Sequence, residues 1–329
     1  MIANLIRDKF LLSILVLSLL PIGWFGYFAS DGARAIVLRN SLISEQGESS
    51  DFDWSPSQQP PGFREERGDI PGEFVNAVSG LKMEEGKGLN AAIEIARHLT
   101  ERSGDGYSIR SNTTAAYRLI RETGTGYCSD YTQVFTALAH VHNLDVREWG
   151  FALDDYGGGH AFNEVFDESL DKWVFVDVFS GFYLVDRDTQ VPISVLELRE
   201  LLLAGRDDTL EFKRFRSERF DFRDEAQAWE FYTSGAQQMY LWWGNDVFTY
   251  EADGLVRAAG NISRMLEQLV AIALDKHLTF RVIATDQSAS DWEQLKQIQR
   301  VTYAGLLFLV VGFVLLAGRL LYLLRLNSR

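Results

Sequence analysis

The sequence predicts an α+β fold in which a central helix packs against an antiparallel sheet. A mainly helical C-terminal part and one transmembrane helix at each end complete the prediction. Three observations support it. Residues 131–142, read as a helix, are apolar on nearly every side, and three runs in which apolar and polar residues alternate follow them. An uncharged apolar run also lies near each end of the chain. A helix that is apolar on every side belongs in the centre of a domain, and alternating runs are typical of half-buried strands.

The two uncharged runs are long enough to cross a membrane. Phe10–Ser30 has 21 residues without a charge and Val301–Gly318 has 18, and roughly 20 helical residues span about 30 Å. The first nine residues carry a net charge of +1 and the residues after Gly318 carry +3, in a chain of net charge −14. Positive ends favour the cytoplasm, so we predict an inner-membrane protein with both termini cytoplasmic and the main domain periplasmic. The first run is longer than a usual signal-peptide core and is predicted to remain as an anchor.

Composition excludes several classes of protein. With 47% apolar and 24% charged residues, the chain is globular rather than disordered. Its acidic middle argues against nucleic acid as a partner, because phosphate binding needs clustered Lys and Arg. The same charge is compatible with an amine-bearing substrate. A single cysteine, Cys128, rules out an internal disulfide.

Changes of pattern divide the chain into seven segments. Four of the six prolines lie between residues 56 and 71, which predicts an extended strap. Phe52, Trp54, Phe63 and Phe74 indicate that this strap packs against another part of the protein for some of its length. Beyond residue 191 the patterns are long and amphipathic. The aromatic side chains there, Tyr232 among them, are assigned to core packing, with an interfacial belt or a sugar-stacking platform as alternatives, and no chemistry is assigned to them. The predicted segments are a cytoplasmic N-terminus (1–9), a first transmembrane helix (10–30), the strap (31–84), a core domain (85–190), a helical C-terminal region (191–300), a second transmembrane helix (301–324) and a cytoplasmic tail (325–329).

Three alternating runs are predicted to form an antiparallel meander on the central helix. They are Val146–Leu153, Ala161–Asp167 and Trp173–Phe179. In the third run Phe175 and Asp177 share one face, which we expect to lie against the helix. A carboxylate on an apolar face needs a partner. His160, which opens the second run, is the expected partner of Asp177.

Cys128 stands at the start of the predicted central helix. The positive end of a helix and an adjacent imidazole both favour a thiolate, which is the nucleophilic form of cysteine. The imidazole in turn needs a third group that fixes its tautomer. Cys128, His160 and Asp177 provide all three groups. His140 lies 12 residues further along the same helix, about 18 Å from the thiol, and it and the other three histidines are assigned structural or surface roles.

The motifs around these residues resemble the transglutaminase-like superfamily of cysteine enzymes. They are Gly126-Tyr-Cys-Ser-Asp-Tyr, Gly150 on a strand, His160-Ala-Phe-Asn-Glu-Val and Lys172-Trp-Val-Phe-Val-Asp177, over about residues 85–187. The resemblance implies a papain-like core with Cys128 as nucleophile, His160 as base and Asp177 as orienting carboxylate. Two positions depart from the family's usual pattern: Phe162 stands where Trp follows His-Ala, and Val178 stands where Pro follows the Asp.

The resemblance also implies a reaction, in which the thiolate attacks a carboxamide, forms a thioester and releases an amine. We predict a cysteine protease or amidase, or an acyltransferase, that acts on a peptide or protein and favours hydrolysis over cross-linking. The alternative is a catalytically inactive scaffold or accessory subunit of an envelope or polysaccharide-export assembly. No cofactor is predicted. The only oxyanion donor predicted is the backbone N–H of Cys128.

A loop next to His160 contains Asp154, Asp155 and three glycines. Two carboxylates without a third ligand are too few for a metal site, so no metal is predicted. The loop is instead predicted to be a mobile lid over the cleft.

Overall fold

The structure is a computed structural model that describes residues 9–81, 88–102, 104, 112–153, 156–216, 220–283, 285 and 288–327. Its longer elements are α1 (Lys9–Ala29), α2 (Gly32–Ile43), β1 (Ser44–Gln46), α3 (Gly72–Ser79), α4 (Leu89–Leu99), α5 (Thr113–Thr123), α6 (Cys128–Val141), β2 (Val146–Leu153), β3 (Gly158–Asp167), β4 (Lys172–Asp177), β5 (Phe182–Asp186), α7 (Val195–Leu203), β6 (Leu210–Arg214), α8 (Glu225–Gly235), β7 (Met239–Trp242), α9 (Phe248–Ala252), α10 (Gly254–Gly260), α11 (Arg264–Ala273), β8 (Phe280–Val282) and α12 (Ala289–Asn327).

The chain forms two compact units. The first contains α1, most of α2 and α12. The second runs from Ile43 to Ala289, except for residues 155–157, and contains the whole sheet. The structure therefore differs from the predicted division at residue 190, because β6 continues the sheet beyond β5 and keeps the C-terminal region in the same unit.

Two helices of the first unit are long and apolar enough to cross a membrane. They are α1 and the part of α12 between Ala289 and Tyr322. Length and composition alone identify them as candidate spans. Within this unit, Trp24 Nε1 donates a hydrogen bond to Thr302 Oγ1 at 3.1 Å. A Cβ at Gly312 would lie 3.4 Å from Ile14, so a small residue lets the two helices approach closely there.

The described part of the second unit contains one sheet of eight strands, in the order β1-β8-β7-β2-β3-β4-β5-β6. Every neighbouring pair is antiparallel except β1 and β8. The three predicted strands are its centre, and α6 packs against them, so the predicted α+β class is confirmed. The outer strands β1, β5, β6, β7 and β8 have only three to five residues. Runs that short do not carry enough alternation to be recognised in a sequence.

Both faces of the sheet are covered. Val174 and Val176 of β4 belong to the core cluster that contains α6. Phe175 and Phe162 belong to a second cluster on the other face, with residues of α7 and α8. The prediction that the face of Phe175 lies against the central helix is therefore wrong. Because both faces of β4 are apolar, alternation alone could not show which face met the helix.

From Ile43 onwards, the predicted strap is an integral part of the domain rather than an extended linker. Helices α2 and α3 occupy its two ends, and β1 adds an edge strand. Trp54 is 5% and Phe63 is 7% exposed. The Trp54 ring lies 5.1 Å from Phe63 and 5.4 Å from Trp173, both edge to face. The aromatic residues of the strap indicate such packing, whereas the prolines alone predicted an extended segment.

A buried ion pair fastens this segment to the sheet. The guanidinium of Arg147 pairs with Glu164 at 2.7 Å and donates a hydrogen bond to the carbonyl of Phe52 at 2.8 Å. It also lies 5.0 Å from the Trp54 ring and 4.3 Å from the Trp173 ring. Both charged side chains are almost fully buried, so neither could lose its partner without a large cost.

We predict that the segment from Ser44 to Gly72 resists proteolysis in the folded chain. Trp54→Ala should lower the free energy of unfolding by about 3–5 kcal/mol, because it empties a buried aromatic site, and should make the segment sensitive to protease. The matched control is Val75→Ala at a position that is 45% exposed, which should change stability by no more than about 0.5 kcal/mol. Urea unfolding and limited proteolysis of the full chain in detergent measure both. Rapid cleavage of this segment in the wild type would contradict the prediction.

Candidate active site

Cys128 is the first residue of α6, and its side chain is only partly buried. Gly124 ends the preceding helix α5 in a left-handed conformation (φ 73°), which lets the chain turn directly into α6. The carboxylate of Asp130 then accepts a hydrogen bond from the Tyr127 N–H at 2.8 Å and fixes the start of the helix. These contacts hold the thiol at the positive end of the central helix, where negative charge is favoured.

His160 and Asp177 form a buried pair on adjacent strands. His160 is the third residue of β3 and Asp177 is the last of β4, and the β3–β4 register brings them close together. His160 Nε2 lies 2.7 Å from Asp177 Oδ2, and the two side chains are 5% and 0% exposed. The other oxygen of Asp177, Oδ1, accepts a hydrogen bond from the Ser180 N–H at 2.8 Å.

The structure brings all three predicted site residues together. The Cys128 side chain lies near the imidazole, close enough to contribute to the raised pKa of His160. Since Asp177 contacts Nε2, the ring nitrogen left for the thiol is Nδ1. The imidazole therefore stands between a buried carboxylate and a thiol, the order that nucleophilic cysteine chemistry needs.

Opposite effects act on the charges of this pair. Burial by itself would lower the pKa of His160. The negative charge of Asp177, the hydrogen bond that the imidazole donates to it and the nearby Cys128 side chain raise that pKa well above its ordinary value of 6.5. Burial would raise the pKa of Asp177. The positive charge of His160 and the hydrogen bonds that His160, the Ser180 N–H and the Tyr232 hydroxyl donate to the carboxylate outweigh burial and leave that pKa below its ordinary value. The geometry thus favours an imidazolium beside a carboxylate.

Tyr232 of α8 is a member of the site that the sequence did not indicate. Its hydroxyl donates a hydrogen bond to Asp177 Oδ2, the oxygen that also contacts His160. Burial and the nearby charge of Asp177 raise the pKa of Tyr232 well above its usual value, so it remains a donor. The two residues are 55 positions apart in the chain. The sequence alone assigns Tyr232 to core packing. Its contact with Asp177 is evident only in the structure, where α8 packs on the sheet.

Two other residues of the motifs support the geometry. Asn163 Nδ2 donates a hydrogen bond to Thr136 Oγ1 at 3.1 Å, which ties β3 to α6 below the thiol. A Cβ at Gly150 would lie 2.8 Å from the carbonyl oxygen of His160 and 2.7 Å from the Tyr240 ring. Glycine at position 150 therefore allows β2 and β3 to pair while Tyr240 covers them.

Three of the other histidines bond away from the thiol. His98 Nε2 lies 3.0 Å from the Tyr117 hydroxyl, and burial together with the charge of Arg121 lowers the pKa of His98 to about 4. His140 Nε2 lies 2.9 Å from the carbonyl oxygen of Asn245, and the His277 ring lies 2.7 Å from the carbonyl oxygen of Leu278.

Only part of the predicted lid can be described. Asp154 and Asp155 lie outside the described residues. Gly158 and Gly159 belong to β3 rather than to a loop. In the described ranges, no group of three or more His, Cys, Asp and Glu side chains is arranged to hold a metal ion.

The fold and the site together define a class of protein. It is an α+β domain with a thiol at the start of its central helix and an imidazole–carboxylate pair nearby on the sheet. Residues 76–178 match the transglutaminase-like superfamily, about a third of the chain. This match confirms the resemblance that the motifs indicated and supports a papain-like superfamily member. Searches of curated proteins and of solved structures gave no match.

We predict that NMR titration of the histidine rings will give His160 a midpoint above 6.5. Asp177→Asn should lower that midpoint, because burial then outweighs the remaining contacts. His98, with its pKa of about 4, is the internal control and should not move. The folded chain holds the His160 proton more tightly than the unfolded chain does, so this group stabilises the fold fully below pH 6.5. That contribution is lost as the pH rises through the folded pKa of His160. A His160 midpoint unaffected by Asp177→Asn would contradict the assignment.

Proposed function

We propose that this protein is a membrane-anchored cysteine enzyme that cleaves peptide or amide bonds through a thioester on Cys128. The observation that carries the proposal is the position of His160, which contacts the buried carboxylate of Asp177 at 2.7 Å and lies close enough to Cys128 for the thiol to affect its pKa. The match to the transglutaminase-like superfamily supports the same reaction class.

The proposed reaction starts from the Cys128–His160 pair. His160 holds the proton of the thiol, as an imidazolium beside Asp177, and the thiolate sulfur attacks the amide carbonyl carbon. His160 then gives its proton to the amide nitrogen, the C–N bond breaks, an amine leaves, and a thioester remains. Water next loses a proton to His160 and attacks the thioester, which releases the acid and restores the thiol. Asp177 holds the imidazole in position and stabilises its positive charge throughout.

The start of α6 can stabilise the negative oxygen of the intermediate. Cys128 and Ser129 are its first two residues, and no group in the described part of the chain accepts a hydrogen bond from either backbone N–H. Orphan N–H groups at a helix start bind anions. We therefore assign the oxyanion to these two donors, one more than the sequence indicated.

Hydrolysis is the outcome we favour. Water needs no binding site of its own, whereas transfer to an amine requires the amine to be held next to the thioester. The partly buried thiol is accessible to solvent. A peptide or protein is the proposed substrate.

We propose that α1 and α12 anchor the enzyme in the inner membrane, with both termini cytoplasmic and the second unit periplasmic. A membrane-impermeant maleimide should then label Cys128, the only cysteine, in intact spheroplasts. Epitope tags at both termini should resist protease added outside. Digestion of the tags, with Cys128 labelled only after lysis, would reverse the orientation.

We predict that iodoacetamide labels Cys128 at pH 6 faster than it labels a free thiol such as N-acetylcysteine. His160→Ala should slow labelling by about tenfold or more, since it removes the imidazolium that stabilises the thiolate. Asp177→Ala should have a smaller effect of the same sign, and Cys128→Ser should abolish labelling while the fold is kept. His142→Ala, close to the end of the same helix, is the matched control and should have no effect. Labelling at the free-thiol rate, independent of His160, would leave the inactive scaffold as the better account.

A further inference from the structure

We infer that residues 220–232 build an aromatic subsite beside His160, which binds an apolar, ring-bearing substituent on the leaving nitrogen of the amide. The inference rests on the proposed function and extends it to a substrate class. These residues lie outside the segment that matches the superfamily, which ends at residue 178. The subsite would therefore be a property of this chain's C-terminal region.

Five aromatic rings surround the imidazole of His160 in the described structure. Three of them are fully buried and complete the core: Phe151, Phe162 and Tyr232. The other two, Phe231 and Phe179, are only partly buried, and their ring centroids lie 5.4 and 6.1 Å from that of His160. The accessible surface next to the imidazole is therefore aromatic on both of these sides.

The aromatic surface continues outward from Phe231. Phe222 lies 5.5 Å from Phe231 and Phe220 lies 5.4 Å from Phe222, and both rings are partly exposed. Of the charged residues beside these rings in the sequence, Arg223 and Asp224 pair with each other at 3.0 Å.

Among the described residues, a cation contacts this aromatic surface at its far end. The Arg214 guanidinium lies 4.1 Å from the centre of the Phe220 ring and 3.6 Å from the carboxylate of Glu225. Phe220 is the third ring outward from His160. Among the described contacts, no charged side chain packs on the rings that adjoin the imidazole.

The position next to His160 identifies which part of a substrate meets these rings. His160 gives its proton to the leaving nitrogen, so whatever that nitrogen carries lies beside the imidazole. A ring or branched apolar group there would be removed from water against Phe231 and Phe222. A carboxylate in the same place would lose its hydration, and the positive charge of His160 nearby is already paired with Asp177. We therefore assign the subsite to an apolar amine component.

Haloacetamides test this assignment without a known substrate, because they alkylate the thiol and carry a variable group on the amide nitrogen. N-benzyliodoacetamide and N-(carboxymethyl)iodoacetamide differ in that group, one aromatic and one anionic. In the full chain in detergent, the aromatic reagent should alkylate Cys128 about tenfold faster than the anionic one, after division by their rates with N-acetylcysteine.

Variants then show which residues cause the preference for the aromatic reagent. Phe231→Ala should reduce the ratio of the two rates to near one. Phe222→Lys should reduce it as well and should raise the rate of the anionic reagent, and this surface change gives a second readout if Phe231→Ala does not fold. Phe166→Ala removes another partly buried ring, one that packs 5.4 Å from Trp173, and should leave the ratio unchanged.

The outcomes separate the two proposals. If neither reagent alkylates Cys128 faster than the free thiol, the proposed function fails. If both react fast but the wild-type ratio is near one, or neither Phe231→Ala nor Phe222→Lys changes it, the aromatic subsite is overturned while the enzyme remains.

Discussion

The carboxylate of Asp177 is the constraint on which the site depends. It is fully buried, and an unpaired charge there would be prohibitive. Its donors come from three separate parts of the fold: His160 on β3, the backbone N–H of Ser180 in the turn after β4, and Tyr232 on α8. The strands and α8 must all be in place before this charge is satisfied. Once it is satisfied, the imidazole is held in place near Cys128.

This dependence explains why the domain extends beyond the segment that matches the superfamily. The match ends at residue 178, yet Tyr232 and the aromatic rings of residues 220–232 complete the surroundings of His160. The segment before the match supports the face of the sheet that Tyr232 also covers. There Trp54 packs beside the buried pair of Arg147 and Glu164. Both additions support the central strands that carry His160 and Asp177.

The sequence allowed prediction of the centre of the fold and of the three residues that meet there. Cys128, His160 and Asp177 could be found because short motifs hold them and because alternation marks β2, β3 and β4 clearly. The contact of Tyr232 with Asp177 could not be found, because it joins distant parts of the chain. For Trp54 the sequence indicated packing, but it did not identify the rings against which Trp54 packs. The face that meets α6 was also beyond prediction, since Val174 and Phe175 are equally apolar and point in opposite directions.

The most direct test of the account is to trap the acyl-enzyme. A reactive ester such as p-nitrophenyl acetate should give a burst of nitrophenol equal to the amount of protein, with one acetyl group on Cys128 by mass spectrometry. Hydroxylamine should remove that group, and His160→Ala should abolish the burst, because acylation needs the thiolate and the proton acceptor together. A folded wild-type protein that gives no burst, or that is acetylated elsewhere but not on Cys128, would contradict the central claim that this thiol is a catalytic nucleophile.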